Sequence, residues 1–250
     1  MNSQWPNLKL PPVIMAIFQL KYHKEGVELN DFIQYDEIIK REYPNRHDNY
    51  LANIDMPKTF APGISTITGK ADTKITSYIY FSPDQKQKLM IEEGSITYTD
   101  ENKYAGWEDF TTKALKTLDM LQELLNQSTI KRISIRFINK FSFESLNDPL
   151  EYFTTTVSSN QANGLAYPLS DYAFKLKITV PDTNIYAYIN QAINPVNNNQ
   201  IDYIFDIDVL DLTNLIFDRT LISESLEELR KIKNTLFFDN LTKKTIELCN

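Results

Sequence analysis

The amino-acid sequence predicts an α+β fold: a duplicated strand–helix–three strands–helix unit that forms one continuous antiparallel sheet packed by two long helices. Three observations lead to this prediction. The predicted elements follow the same order in both halves, a short echo of sequence recurs at a spacing of 119 residues, and no linker rich in Gly, Pro or Ser separates the halves. We therefore expect a single body over 1–250, made of two pseudo-repeats at 10–128 and 129–250. The echo pairs Phe18, Lys21 and Tyr22 with Phe137, Lys140 and Phe141.

The first pseudo-repeat begins with a strand. Pro11 and Pro12 precede an apolar run, 13–22, and proline prevents a helix from running into that run. A short capped helix follows and ends before Pro44. The segment 45–70 is expected to be irregular. The remaining predictions for this half are strands at 73–82, 86–92 and 95–99 and a helix at 106–127, whose apolar residues recur at spacings of three and four.

The second pseudo-repeat shows the same pattern. A strand at 130–143 leads into a short helix at 149–155 and a loop at 158–164 rich in Ser, Asn and Gly. The final helix is predicted at 224–247, with Ser223 as its cap. The strands predicted between them lie at 172–180, 184–192 and 201–210.

Composition excludes several classes of protein. Of the 250 residues, 42% are hydrophobic and 24% are charged, which indicates a globular chain. One cysteine, Cys249, and two histidines exclude a disulfide framework and any zinc site built on Cys or His. The net charge of −7 argues against general binding to nucleic acid or an anionic membrane. With no targeting or membrane-spanning segment, the chain is predicted to be cytoplasmic, and no cofactor is expected.

A row of cations on the strand 130–143 is the first candidate binding site. Alternation places Arg132, Arg136 and Lys140 on one side of the strand and the apolar residues on the other. Such a row can hold a phosphate, a nucleic-acid backbone or an acidic partner. The alternative is a solvated face with cross-strand ion pairs. We slightly favour an external anion over internal neutralisation.

Two aspartates on the last strand form a complementary pattern. Asp206 and Asp208 project to the same side, at a spacing that can bind a divalent cation for phosphoryl transfer. No third carboxylate, general base or phosphate clamp accompanies them. The alternative is that these aspartates pair with Arg132 or Arg136, or with Lys175 and Lys177 of a neighbouring strand.

Four tyrosines also fall in alternating patterns, and we expect them on polar strand faces. Tyrosine suits a recognition surface because it combines a rigid contact area with a hydroxyl group, although it is equally common on any exposed antiparallel strand. If these tyrosines share a face with the cationic row, they form one amphipathic platform. They are Tyr78 and Tyr80 in the first half and Tyr186 and Tyr188 in the second.

The chain contains no glycine-rich phosphate loop, nucleophile elbow or zinc-protease motif, so a conventional hydrolase, kinase or dehydrogenase is not expected.

Four short motifs stand out in the sequence: 10-LPPV-13, 104-YAGWEDF-110, 132-RISIRFINK-140 and 206-DID-208. Together with the long C-terminal helix, they resemble a sporadically distributed prokaryotic family of about this length with no established activity. The resemblance covers essentially the whole chain. The patchy distribution of that family implies a component of a phage-defence or mobile-element cassette.

These observations lead to a functional hypothesis with two alternatives. We expect a non-enzymatic bacterial binding or adaptor protein, accessory to antiviral defence, whose sheet face engages an acidic or phosphate-bearing partner, most naturally a protein encoded nearby. One alternative is a metal-dependent phosphoryl-transfer enzyme that uses Asp206 and Asp208. The other is a saddle-like nucleic-acid-binding protein, which the net charge of −7 disfavours.

Overall fold

The computed structural model describes residues 5–54, 71–143, 148–156, 172–196 and 200–250. Within these residues, ten strands form one antiparallel sheet and five α-helices accompany it, which confirms the α+β class and the continuous sheet. The strands are β1 (Val13–His23), β2 (Asn45–Ile54), β3 (Ala71–Phe81), β4 (Gln87–Glu92), β5 (Ser95–Asp100), β6 (Thr129–Phe143), β7 (Tyr172–Thr179), β8 (Ile185–Val196), β9 (Gln200–Asp211) and β10 (Leu215–Ile216). The helices are α1 (Asp36–Lys40), α2 (Trp107–Asp119), α3 (Gln122–Leu125), α4 (Arg219–Asp239) and α5 (Lys243–Leu248), with 3-10 turns at Leu29–Tyr35 and Pro149–Glu151.

The first strands of the two halves form the centre of the sheet. The strand order is β2-β3-β4-β5-β1-β6-β9-β8-β7, and β10 pairs with β6. β1 and β6 are antiparallel, with Phe18 opposite Ile135 and Leu20 opposite Ile133. Outward from this seam, each half continues with its later strands in reverse chain order. The duplication itself remains a prediction, and superposing residues 13–127 on 132–248 would test it.

Alternation along the strands gives the sheet two different faces. The helix face carries the buried residues, such as Phe18 of β1 and Ile135 of β6, and the described helices pack there. Phe110 of α2 meets Phe137 of β6 with ring centroids 5.3 Å apart, and Phe237 of α4 stacks on a β9 ring. Each such side chain contributes about 1.5–3 kcal/mol when buried. The other side, which includes Ile17 and Arg136, is called the opposite face below.

The strand β2 was not expected, because its sequence is polar. Its inward side chains are satisfied by ion pairs rather than by apolar contacts. Arg46 lies 2.7 Å from Asp48 of the same strand and 3.0 Å from Asp36 of α1. The first half therefore has four strands after its first helix where three were predicted. Residues 55–70, the rest of the segment predicted to be irregular, lie outside the described residues, as does the loop predicted at 158–164.

The two long helices are also interrupted. The predicted helix 106–127 divides into α2 and α3 near Met120, and the predicted helix 224–247 divides into α4 and α5 near Asn240. α4 begins at Arg219, earlier than predicted, and its cap is Asp218 rather than Ser223. The Asp218 carboxylate accepts bonds from the backbone N–H groups of Thr220 and Leu221 at 2.8 and 3.0 Å. None of the described helices has the length and apolarity needed to cross a membrane.

Candidate functional site

The predicted cationic row lies on the opposite face, where acidic side chains of β9 neutralise much of it. Arg136 donates two hydrogen bonds to Asp206, at 2.8 and 2.7 Å, and Lys140 lies 3.2 Å from Asp202. Arg132 instead donates to the side-chain oxygen of Gln19 on β1. Internal pairing, the alternative to an external anion, is therefore what the structure shows for Arg136 and Lys140, because the register with β9 brings an aspartate within reach of each.

Of the two predicted aspartates, Asp206 is an ion-pair partner of Arg136, whereas Asp208 makes no ion pair within the described residues. Asp206 is only 6% exposed, and its two oxygens accept from Arg136 and, at 2.9 Å, from Asn190. Burial raises the pKa of Asp208, with the charges of Arg136 and Arg132 opposing that shift and Asp206 adding to it. Among the described residues, no group of three or more possible ligands is placed to hold a metal ion.

The tyrosines divide between the two faces. Tyr186 and Tyr188 lie on the opposite face with the cationic row, beneath Lys177 and Lys175, whose ammonium groups are 4.5 and 4.4 Å from the ring centroids. This half of the predicted platform exists. The predicted exposure of the other pair is wrong, as described next.

Tyr78 and Tyr80 are fully buried on the helix face. The 3-10 turn and α1 cover this end of the sheet and supply acceptors for the two hydroxyls. Tyr78 donates to Asn30 at 2.9 Å, and Tyr80 donates to Asp36 at 3.0 Å. Burial raises the pKa of both phenols. Strand alternation cannot show that helices cover one side of a strand, so it could not predict this burial.

A cavity of about 580 Å³ opens on the helix face, where four separate parts of the chain meet. Its walls are the N-terminal segment 5–13, the loop before α2 at 103–107, the β6 residues Phe137 and Asn139, and the part of α4 that spans 230–238. Backbone hydrogen bonds fix the N-terminal wall, since Leu10 N–H donates to the Cys249 carbonyl and Lys140 N–H donates to the Pro12 carbonyl, both at 2.9 Å.

The lining of this cavity differs from the rest of the chain. The whole sequence has 33 acidic and 26 basic residues. Four cations line the cavity, and no Asp or Glu of the described residues does. The cations are Lys9, Lys103, Arg230 and Lys233, and the aromatic walls are Trp5, Tyr104, Trp107, Phe137, Phe237 and Phe238.

Lys233 is the only one of the three cavity lysines that is partly buried, and its ammonium lies over an aromatic ring. Its ammonium nitrogen lies 4.3 Å from the ring centroid of Phe137, and it makes no hydrogen bond or ion pair within the described residues. Burial, aided by the nearby charge of Arg230, lowers the pKa of Lys233 to about 7. The direction of this shift agrees with an ammonium that has no acceptor nearby, although Lys233 keeps part of its surface exposed in the cavity.

Arg230 is held from outside the cavity. Its guanidinium lies 3.2 Å from a carboxylate oxygen of Glu227 and 5.4 Å from the ring centroid of Trp107. The Trp107 indole donates to the other oxygen of Glu227. Glu227 thus positions Arg230 and the first residue of α2 together, and it leaves Lys233 unpaired.

No sequence pattern predicted this cavity, although one local signal was present. Leu229, Lys233 and Phe237 recur at a spacing of four, so Lys233 occupies a position in the apolar stripe of α4. A lysine at such a position either extends its ammonium to solvent or needs a partner, so its surroundings are worth inspecting. The other walls come from distant segments, and no sequence pattern connects them to α4.

Comparisons of the chain with family models, with curated proteins and with solved structures give no match in any of the three.

Proposed function

We propose that this protein is a non-enzymatic binding protein whose ligand is acidic or phosphate-bearing, and that the ligand binds in the cavity beside Lys233 and Arg230. One observation carries the proposal: an ammonium group without a partner in a cavity lined by three further cations and, within the described residues, by no carboxylate. A buried charge is costly unless it is paired. An anion in the cavity would supply the missing partner.

The size and walls of the cavity favour a small molecule with a planar part. Small-molecule sites occupy about 300–1,000 Å³ and combine apolar walls with a few polar groups, and the cavity volume of about 580 Å³ lies in this range. Aromatic rings can contact a planar ring, while the cations hold an anionic group. The ligand class is therefore an aromatic or planar compound that carries a phosphate or carboxylate.

Fluorescence can test this proposal directly, because both tryptophans of the sequence, Trp5 and Trp107, line the cavity. The probes are pyridoxine 5′-phosphate and pyridoxine, which differ only in the phosphate. We expect the phosphorylated compound alone to change the emission saturably, with calorimetry as a check.

Loss of a charge-assisted contact costs about 1.5–3 kcal/mol, so Lys233→Met should weaken binding about 10- to 100-fold. Lys231→Met, at an exposed neighbouring site, is the matched control. Equal binding of both compounds would contradict the proposal.

A second candidate is the docking of an acidic partner protein on the opposite face. Across the neighbouring strands β1, β6, β9, β8 and β7, this face carries more cations than carboxylates, although the chain has a net charge of −7. This candidate predicts an acidic partner protein that is captured from the native host by the wild type. The Lys175→Glu/Lys177→Glu variant should lose that partner, and the control variant Lys86→Glu, changed in an exposed turn, should retain it. The cations are Lys21, Arg132, Arg136, Lys140, Lys175 and Lys177, and the carboxylates are Asp202, Asp206 and Asp208.

We extend the proposal to the cellular setting: a bacterial cytoplasmic protein that acts within a phage-defence or mobile-element system. The single cysteine suits a reducing compartment, and the resemblance described above suggests the defence setting. The identity of the neighbouring genes tests this part, because a gene set of ordinary metabolism would contradict it.

A further inference from the structure

We propose that Lys233 is a nucleophilic amine, and that it captures a carbonyl-bearing anion in the cavity as an imine. This inference rests on the proposed function, because it assumes that the cavity binds an anion. It adds the chemical class of the ligand: an aldehyde or ketone that also carries a phosphate or carboxylate. Capture of this kind retains a ligand reversibly and requires no turnover.

The surroundings of Lys233 favour the uncharged amine. A lysine amine attacks a carbonyl only when it is neutral, and a carboxylate partner would hold it in the charged form. No such partner exists among the described residues. Its neighbours are the face of Phe137, at 4.3 Å, and the like charge of Arg230, three residues earlier on α4. The ring face attracts the ammonium weakly, by about 0.5–1 kcal/mol. Burial and an adjacent cation act in the opposite direction, and these are the two devices that activate lysine nucleophiles in general.

The lowered pKa of Lys233 agrees with this geometry. An ordinary lysine, with a pKa near 10.4, is neutral in only about one molecule in 2,500 at pH 7. With a pKa of about 7, roughly half of the Lys233 side chains are neutral at that pH. The groups that face Lys233 across the cavity are Lys103 and Tyr104 from the loop before α2 and Lys9 from the N-terminal segment. None of them is an acid that would restore the charge near neutral pH.

The step balances without a co-reactant. The Nζ lone pair forms a bond to the carbonyl carbon, and the carbonyl oxygen takes up a proton to give a carbinolamine. That proton comes from Nζ, which keeps one hydrogen in the carbinolamine. Nζ then gives up this remaining hydrogen as a proton, the hydroxyl group takes up a proton and leaves as water, and a carbon–nitrogen double bond remains. Nothing is oxidised or reduced. Arg230, fixed by Glu227 at 3.2 Å, is placed to hold the anionic end of the ligand one turn of helix away. With the anion held by Arg230, Lys233 is free to react in its neutral form when the ligand also carries a carbonyl group, whereas it pairs with the anion when the ligand carries none.

The test uses two compounds that differ only at the reacting carbon. Pyridoxal 5′-phosphate carries an aldehyde where pyridoxine 5′-phosphate carries an alcohol. The full chain is incubated with an equimolar amount of the aldehyde, cyanoborohydride reduces any imine to a stable amine, and peptide mass spectrometry locates the adduct. We expect a single adduct at Lys233, prevented by an excess of the alcohol. Lys233→Arg should lose this adduct, and Lys231→Arg should keep it. The competition arm needs no variant, so it stands even if Lys233→Arg fails to fold.

The outcomes separate the two proposals. If pyridoxine 5′-phosphate binds in the fluorescence titration but no adduct forms at Lys233, the imine is refuted and the binding function stands. If neither compound binds, both proposals fail. If adducts are spread over exposed lysines such as Lys231 and Lys243 as fully as over Lys233, the reactivity belongs to lysines in general, and the inference is overturned.

Discussion

The replacement of Arg136 by alanine tests whether the cationic row is structural. Arg136 binds Asp206 through two hydrogen bonds of 2.8 and 2.7 Å. Without the guanidinium, the Asp206 carboxylate, only 6% exposed, keeps the amide of Asn190 at 2.9 Å as its hydrogen-bond donor. A stranded buried charge destabilises the folded state, because the charge has neither water nor a counterion.

The expected magnitude follows from the exposure of the two partners. Breaking a fully buried pair costs about 3–5 kcal/mol. The Arg136 side chain is 44% exposed, so solvent screens the pair and can reach the space left by the guanidinium. We therefore expect a loss of about 2–3 kcal/mol in the free energy of unfolding. For a chain of this size, this corresponds to a fall of about 5–10 °C in Tm.

A double-mutant cycle in urea, followed by circular dichroism, measures this effect. Asp206→Asn should cost only about 1 kcal/mol, because water can solvate the freed Arg136. Arg136→Ala/Asp206→Asn should be more stable than Arg136→Ala alone, because no carboxylate is stranded. Lys140→Ala, from the more exposed pair with Asp202, is the control and should cost less than about 1 kcal/mol. A loss for Arg136→Ala as small as that of Lys140→Ala would refute the reasoning.

Three further predictions follow from the cavity and from its surroundings. The affinity for pyridoxine 5′-phosphate should fall about tenfold per pH unit above pH 7 as Lys233, with its pKa of about 7, loses its proton. Calorimetry should show this fall in the wild type and an affinity independent of pH in a folded Lys233→Arg variant. An affinity independent of pH in the wild type would contradict the prediction. Asp208→Asn should raise the free energy of unfolding at neutral pH, because burial raises the pKa of Asp208 and its charged form disfavours folding. Urea titrations should show this gain vanish as the pH falls below the pKa of Asp208. A gain that does not depend on pH would show that the buried charge of Asp208 is not its cause. Gly106→Ala should cost about 1–3 kcal/mol, since Gly106 has φ +124° where it leads into α2; a thermal melt unchanged from the wild type would show that the backbone relaxes.

Local alternation predicted which residues share a strand face, but it could not predict what covers that face. It placed Arg136 and Asp206 correctly on one side of their strands, because a period of two is a property of the backbone itself. The burial of Tyr80 depends on α1, whose hydrogen-bonding Asp36 is far away in the sequence. The strand β2 escaped prediction for a related reason, since its inward Arg46 is satisfied by ions rather than by apolar contacts.

The candidate site was still less accessible to sequence patterns. The row on β6 was visible because its three cations follow one local period, and its neutralisation depended on the register with β9. The cavity depends on four segments that meet only after folding. Only Lys233, within the apolar stripe of α4, could have been singled out in advance.

The central place of β1 has a consequence for the growth of the sheet during synthesis. β1, with 11 residues, is synthesised before the other described strands of the sheet, yet both of its neighbours, β5 and β6, come later in the chain. At about 5–20 residues per second, β5 can close one edge of β1 while the other edge waits for β6. An unpaired edge can recruit a strand from another nascent chain. Because β6 follows directly after α3, we expect this exposure to be brief, and we expect a pause in translation between α3 and the end of β6 to increase aggregation of the nascent chain.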